Sequence, residues 1–242
     1  MQVSISIIRY RKRYILFAFL AMMIFRLPLW LNKNISFYKL LGSGKNGGFD
    51  KIPDLQQWGI LSVRDHGTEV VFPAASNDSV LKKLYGGFLA GWFRCFACEI
   101  WTVFLQPLEG HGSWDGKQVF GALPQQSIHE GRIAILTRAT IRLNKLKYFW
   151  QNVAPVSAAV NDAKGLITSV GIGEMPWIKQ ATFSVWESKD AMKAFAYGMK
   201  THTEVIKKTR EQDWYSEEMF VRFKITGSSG TLKGINPLDG KH

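Results

Sequence analysis

The sequence predicts an α+β protein in which one β-α-β-β-α-β unit occurs twice. Two β-rich segments lead to that reading: LQQWGILSVRD, Leu55 to Asp65, and IKQATFSVWES, Ile178 to Ser188. Each is preceded by a glycine-bearing turn and a proline, Gly42-Ser43-Gly44 with Pro53 and Gly171-Ile172-Gly173 with Pro176. Each is followed by a charged turn and a helix-like stretch, Asn77 to Phe88 and Lys189 to Met199. A strand-like run then closes each half, Trp101 to Leu108 and Phe220 to Thr226.

The opening elements complete the pattern. Val3 to Ile7 alternates as a strand does, and Ile15 to Phe25 is an uninterrupted apolar run of helical length. Arg9, Arg11, Lys12 and Arg13 precede that run, but no small-residue cleavage site follows, which argues against a signal peptide. Arg26 and Pro28 end it short of the ~20 residues that span a bilayer, so it reads as a buried helix, with a peripheral membrane contact as the alternative. In the second half Ile133, Ile135, Thr137 and Ala139 alternate with their neighbours. Leu146, Phe149, Val153, Val156 and Val160 then recur at helical spacing, with Pro155 expected to kink or end the helix. The resulting division is a first half over 1–110, a connection over 111–130, a second half over 131–228 and a tail over 229–242. Two such ferredoxin-like units are expected to pack as a pseudo-dimeric α/β barrel, leaving a cleft between sheet and helices.

The chain of 242 residues carries a formal charge of +12, which calls for an anionic partner. Its two cysteines imply no disulfide framework, and the expected location is the cytoplasm or the inner face of its membrane. A nucleic-acid platform would interleave aromatic and basic residues along one strand face, and KYFWQ and MFVRFK offer only fragments of that, so no nucleic-acid partner is expected. LLGSGKNGGF, Leu40 to Phe49, is not a phosphate loop. Lys39 stands where the first glycine belongs, Asn46 stands in place of Ser or Thr, and Gly47, Gly48 and Pro53 disfavour the helix that must follow.

Cys95-Phe96-Ala97-Cys98 has CxxC spacing without the histidine of a haem attachment or the second pair of a zinc site, and reads as two small buried residues. His66 and His111 fall in turns, His129 in the connection and His242 at the terminus. His202 is different: His202, Val205, Ile206, Thr209 and Asp213 share one helical face, and an inward histidine there would suit either a packed core or a metal or haem iron. Glu174, Glu217 and Glu218 are acid/base candidates that the abundant basic residues could equally pair.

Several blocks resemble, in colinear order, the spheroidene monooxygenase family of carotenoid-oxidising enzymes. They are FYKLLGSG (37–44), EIWTVFLQPL (99–108) with GSWDG, RIAILTRATIR (132–142), VGIGEMPWIKQATFSVW (170–186) and HTEVIKKTREQDWYSEEMFVRF (202–223). The resemblance implies a haem-dependent enzyme that inserts oxygen into acyclic carotenoids at C2, with electrons from a ferredoxin-type donor. It places a histidine at the position of His202, implying the axial ligand. It also makes Gly171 and Gly173 part of a cleft border, and it suggests Arg138 and Arg142 for propionate or cleft-rim contacts, since guanidinium forks suit carboxylates. The chain departs from the pattern at Leu143, Met175 and Asp213 and over Met199-Lys200-Thr201. Those departures leave room for a binding protein without oxygenase activity, or for another haem chemistry such as aldoxime dehydration.

Overall fold

The structure is a computed structural model describing residues 1–65, 76–160, 162–198, 208–209 and 211–239. The first half runs β1 (Gln2–Arg9), α1 (Ile15–Ile24), α2 (Arg26–Leu31), β2 (Phe37–Gly44), β3 (Pro53–Arg64), α3 (Asn77–Tyr85), α4 (Gly87–Cys95) and β4 (Glu99–Gly112). The second runs β5 (Ile133–Ile141), α5 (Leu146–Val160), β6 (Leu166–Met175), β7 (Lys179–Trp186), α6 (Lys189–Gly198) and β8 (Tyr215–Gly230). In hydrogen-bonding order the strands are β1-β3-β2-β6-β7-β5-β8-β4, and the order closes as a barrel. The strand pairs with a described register are antiparallel.

The two compact units are not the two sequential halves. One comprises Met1–Leu41, Asp54–Gln106 and Ile225–His242; the other comprises Gly42–Pro53 and Pro107–Lys224. The reason is that β2, β3, β4 and β8 each have residues in both units, so the boundaries fall inside strands.

In the first unit β1 pairs with β3 from Gln2–Arg64 to Arg9–Gln57, and with β4 from Val3–Leu105 to Arg9–Glu99. The alternation in β1 does not mark a solvent face. Ser4 and Ser6 are buried, and their hydroxyls are satisfied within the core. Ser4 Oγ bonds Ser62 Oγ at 2.7 Å, while Ser6 Oγ bonds Thr102 Oγ1 at 2.7 Å and the Tyr85 hydroxyl at 2.8 Å. Over that strip lies an aromatic core in which Phe25 meets Trp58, Trp92 and Phe93 at 5.8, 5.6 and 5.3 Å between ring centroids. Each such ring buries far more apolar area than an aliphatic side chain, so this cluster carries much of the unit's stability.

Residues 231–239, expected as a tail, are bound into this unit. Trp101 Nε1 donates to Asn236 Oδ1 at 3.1 Å. Thr231 Oγ1 donates to Glu99 Oε1 at 3.0 Å, and the Gly234 N–H donates to the same oxygen at 2.5 Å.

In the second unit β5 is central, paired with β7 from Ile133–Trp186 to Thr140–Lys179 and with β8 from Ile133–Lys224. Its helix-bearing face holds two apolar clusters. Ile133, Ile135, Trp186 and Met192 pack with Phe195 of α6, and Ile141, Phe149, Trp150 and Trp214 pack with Phe49. The α5 helix continues through Pro155 to Val160 rather than ending there. Proline removes one ladder hydrogen bond, and the packed aromatic start of α5 holds the helix despite that loss.

Candidate functional site

A two-residue turn organises one end of the second unit. Trp114 and Lys117 exchange backbone hydrogen bonds at 2.9 and 3.2 Å, and between them Asp115 and Gly116 both have positive φ, 51° and 73°. Asp-Gly is the pair that tolerates two such residues, which is why the GSWDG block closes here. The turn's amides face Glu217 of β8. Gly116 N–H donates to Oε1 at 2.8 Å, Asp115 N–H to Oε2 at 3.2 Å and Ser113 Oγ to Oε1 at 2.7 Å.

Arg138, 1% exposed on β5, completes the cluster. Its guanidinium donates to Glu217 Oε2 at 2.5 Å, Glu174 Oε1 at 3.3 Å and Asp115 Oδ1 at 3.4 Å, and it lies 5.1 Å from the Trp114 ring centroid. Trp114 Nε1 also donates to Glu174 at 2.8 Å, and Lys179 Nζ to Asp115 at 2.7 Å. Burial pushes the Glu217 carboxyl upward, but the Gly116 and Ser113 hydrogen bonds and the Arg138 charge outweigh it and hold the group at about 2. Glu174 and Glu217 are therefore paired acids.

A second cluster sits on Glu109, which is 1% exposed. Its carboxylate accepts from Arg222 and from the Ser127 N–H, and from Lys189 Nζ at 3.0 Å. It ties β4 to β8, to the first residue of α6 and to the connecting segment at once. Nothing in the sequence marked Glu109, Lys189 or Arg222 as a cluster; the available signal was an acid directly after the strand-like run that ends at Leu108.

Of the residues expected to border a cofactor, Arg138 is held among three of the chain's own carboxylates. Arg142 donates to the Asp213 carbonyl at 3.1 Å and pairs with its carboxylate at 3.0 Å. The backbone that comes close over Gly171 is that of Gly48 and Phe49, and a Cβ on Gly173 would stand 2.7 Å from the Lys179 carbonyl. Ser43 Oγ donates to the Gly171 carbonyl at 2.8 Å, fixing β2 on β6. His202, like His66 and His242, lies outside the described residues. Among the described residues no group of three His, Cys, Asp or Glu could hold a metal. Cys95 is exposed rather than buried, because it ends α4 where Ala97 turns with φ 46°. Burial pushes the Cys98 thiol up to about 12, against a hydrogen bond with Tyr10 that lowers it, so Cys98 is protonated at neutral pH.

Among the described residues, one position on the helix-bearing face is exposed. Strand alternation puts Thr137 on the side of Ile133, Ile135 and Ile141, between the α5 and α6 clusters, and Thr137 is exposed although β5 has a strand on either side. Its register partners are Thr182 and Phe220. The His111 ring, also exposed, stacks on Phe220 at 5.9 Å and 19°. Among the described residues, an exposed threonine thus lies beside an aromatic ring that carries an imidazole.

No family model matches the chain. It is 34% identical over 223 residues to the spheroidene monooxygenase of Rhodobacter capsulatus, covering 91% of this chain and 88% of that one. It is 36% identical over 198 residues to that of Rubrivivax gelatinosus, covering 82% and 72%. Among solved structures, an aldoxime dehydratase in complex with butyraldoxime is similar with a TM-score of 0.62 at 9% identity, covering 98% of this chain and 84% of that one. That likeness shows a shared fold, while the sequence identity, sustained over nine-tenths of the chain, shows kinship: the chain belongs to the spheroidene monooxygenase family.

Proposed function

We propose that the protein is a haem-dependent monooxygenase acting on acyclic carotenoids, oxidising them at C2, with a ferredoxin-type electron donor. The observation that carries the reading is the family identity over nearly the whole chain. Each turnover of such an enzyme places one oxygen atom of O2 in a C–H bond and releases the other as water, consuming two electrons and two protons. A second insertion at the same carbon gives a geminal diol, which loses water to the ketone. Haem, when bound, supplies the redox-active iron for this chemistry.

The described residues fit a flat ring on the helix-bearing face. Among them, Thr137 is exposed between two apolar clusters, with Phe220 and His111 alongside. His202, which follows α6 in the sequence, would hold the haem iron through its imidazole. Gly171 and Gly173 border the face where β6 carries the Gly48–Phe49 backbone, and Arg142 stands as a partner for a carboxylate that can displace Asp213. The net charge of +12 favours both an anionic donor and the acid groups of the cofactor. The paired order of elements in the two halves, together with the matching glutamate-capped turns at Glu217 and Glu99, supports a tandem ferredoxin-like origin. A hydrocarbon substrate further calls for contact with a membrane.

The test is an absorption spectrum of haem-supplied protein, reduced with and without carbon monoxide, beside His202→Ala. A Soret band that shifts with carbon monoxide and collapses in the variant is the expected result, followed by altered carotenoids in a producing host. A featureless spectrum from folded protein overturns the haem assignment. Retained haem without carotenoid conversion leaves a binding protein on the same scaffold.

A further inference from the structure

The α1–α2 pair is apolar on two opposite sides. Ala18, Ala21, Phe25 and Leu29 recur at three- and four-residue spacing and are buried against the core of the first unit. Leu16, Met23, Leu27 and Trp30 fall on the other side and are 66, 70, 61 and 71% exposed. The Phe25 N–H donates to the Ala21 carbonyl and the Leu29 N–H to the Phe25 carbonyl, so the helical ladder carries through the join and the two stripes stay in phase.

We propose that this outer stripe docks on the surface of an anionic lipid bilayer, with the helix pair lying in the plane of the interface. Charge selects that occupant. The first 49 residues carry eight lysines and arginines and no aspartate or glutamate. Arg11, Lys12 and Arg13 are exposed at the start of the pair, Lys33 just past its end and Arg26 along its flank. Basic residues at both ends and along one side of an apolar stripe match a headgroup layer above acyl chains. Trp30, the most exposed of these large apolar residues, is an aromatic of the kind that settles at such interfaces. A second copy of the chain would instead bring the same cations against themselves.

The pair lies on the bilayer rather than crossing it. Lys12–Leu31 is 20 residues long and, by length and composition alone, apolar enough to span. Yet its inner stripe is fixed to protein from Ala18 to Leu29. Spanning would tear Phe25 out of its contacts with Trp58, Trp92 and Phe93.

The proposal rests on the carotenoid reading only for its purpose, which is access to a substrate dissolved in lipid. The test therefore uses the full chain and vesicles free of carotenoid: phosphatidylcholine alone, and phosphatidylcholine with phosphatidylglycerol. The protein is expected to sediment with the anionic vesicles, less so in high salt, and binding is expected to fall roughly ten-fold or more in Met23→Glu/Leu27→Glu. Both positions are exposed, so circular dichroism and thermal unfolding of the variant should match those of the parent. Parent protein that stays in the supernatant, or a variant that binds equally well, overturns the proposal. So does a dimer in size-exclusion chromatography that the same variant dissolves, since the stripe would then be a contact between copies. Carotenoid conversion is read separately, so docking can fail while the oxygenase reading stands, and the reverse.

Discussion

At the scale of single residues, the Arg138 cluster is the most consequential arrangement. Three carboxylates share one guanidinium and one ammonium, and the turn amides at Asp115 and Gly116 complete the shell of Glu217. A carboxyl held at about 2 in the folded state, against an ordinary 4.5, adds stability above the ordinary value and loses it as pH falls from there toward 2. The unfolding free energy should therefore drop by up to about 3 kcal/mol between pH 5 and 2, a slope that Glu217→Gln removes. Urea denaturation at a series of pH values checks this; an unchanged slope in the variant would place the acid sensitivity elsewhere. The sequence offered Arg138, Glu174 and Glu217 as separate candidates, one for a cofactor and two for acid/base work. Their union was not legible, because they come from β5, β6 and β8 and meet only through strand register. What could be read was that abundant cations would pair the acids, and they do.

Among the elements, the helices and strands were largely visible in periodicity, and the exceptions share a cause. Each is a place where tertiary contacts override a local rule. Ser4 and Ser6 look like solvent positions, but Ser62, Thr102 and Tyr85 supply their hydrogen bonds inside the core. Pro155 looks like a helix end, but α5 continues past it. Gly42-Ser43-Gly44 and Gly171-Ile172-Gly173 read in the sequence as turns at corresponding places in the two halves, but both lie within strands, β2 and β6. The structure joins them directly, with Gly42 opposite Gly173 and Ser43 opposite Ile172. Gly171 has no room for a side chain because the Gly48–Phe49 backbone crosses it. Gly171→Ala should accordingly destabilise the protein by about 1–3 kcal/mol, the range for overpacking a filled site. Thermal unfolding measures it, with Gly87→Ala, whose Cβ meets nothing within 4 Å, as the neutral comparison.

For the molecule as a whole, the two units repeat one device. Glu217 of β8 caps the Asp115–Gly116 turn that follows β4, and Glu99 of β4 caps the Lys233–Gly234 turn that follows β8. Each closing strand thus secures the turn that follows the other. A chain shortened after Gly230 should lose the Glu99 and Trp101 contacts and leave β4 less protected from hydrogen exchange between Glu99 and Gln106. Exchange equal to that of the parent would show those contacts to be idle.

The order of synthesis gives that division of the chain a further meaning. A ribosome delivers Met1–Gln106 early, but the first unit also needs residues beyond Ile225, made only after the whole second unit has emerged. The unit that holds Met1–Leu41 therefore closes only after the other has been made. During that interval its exposed apolar helix pair is held by an unfinished core, which leaves that surface open to misassociation until residues from Ile225 onward are made.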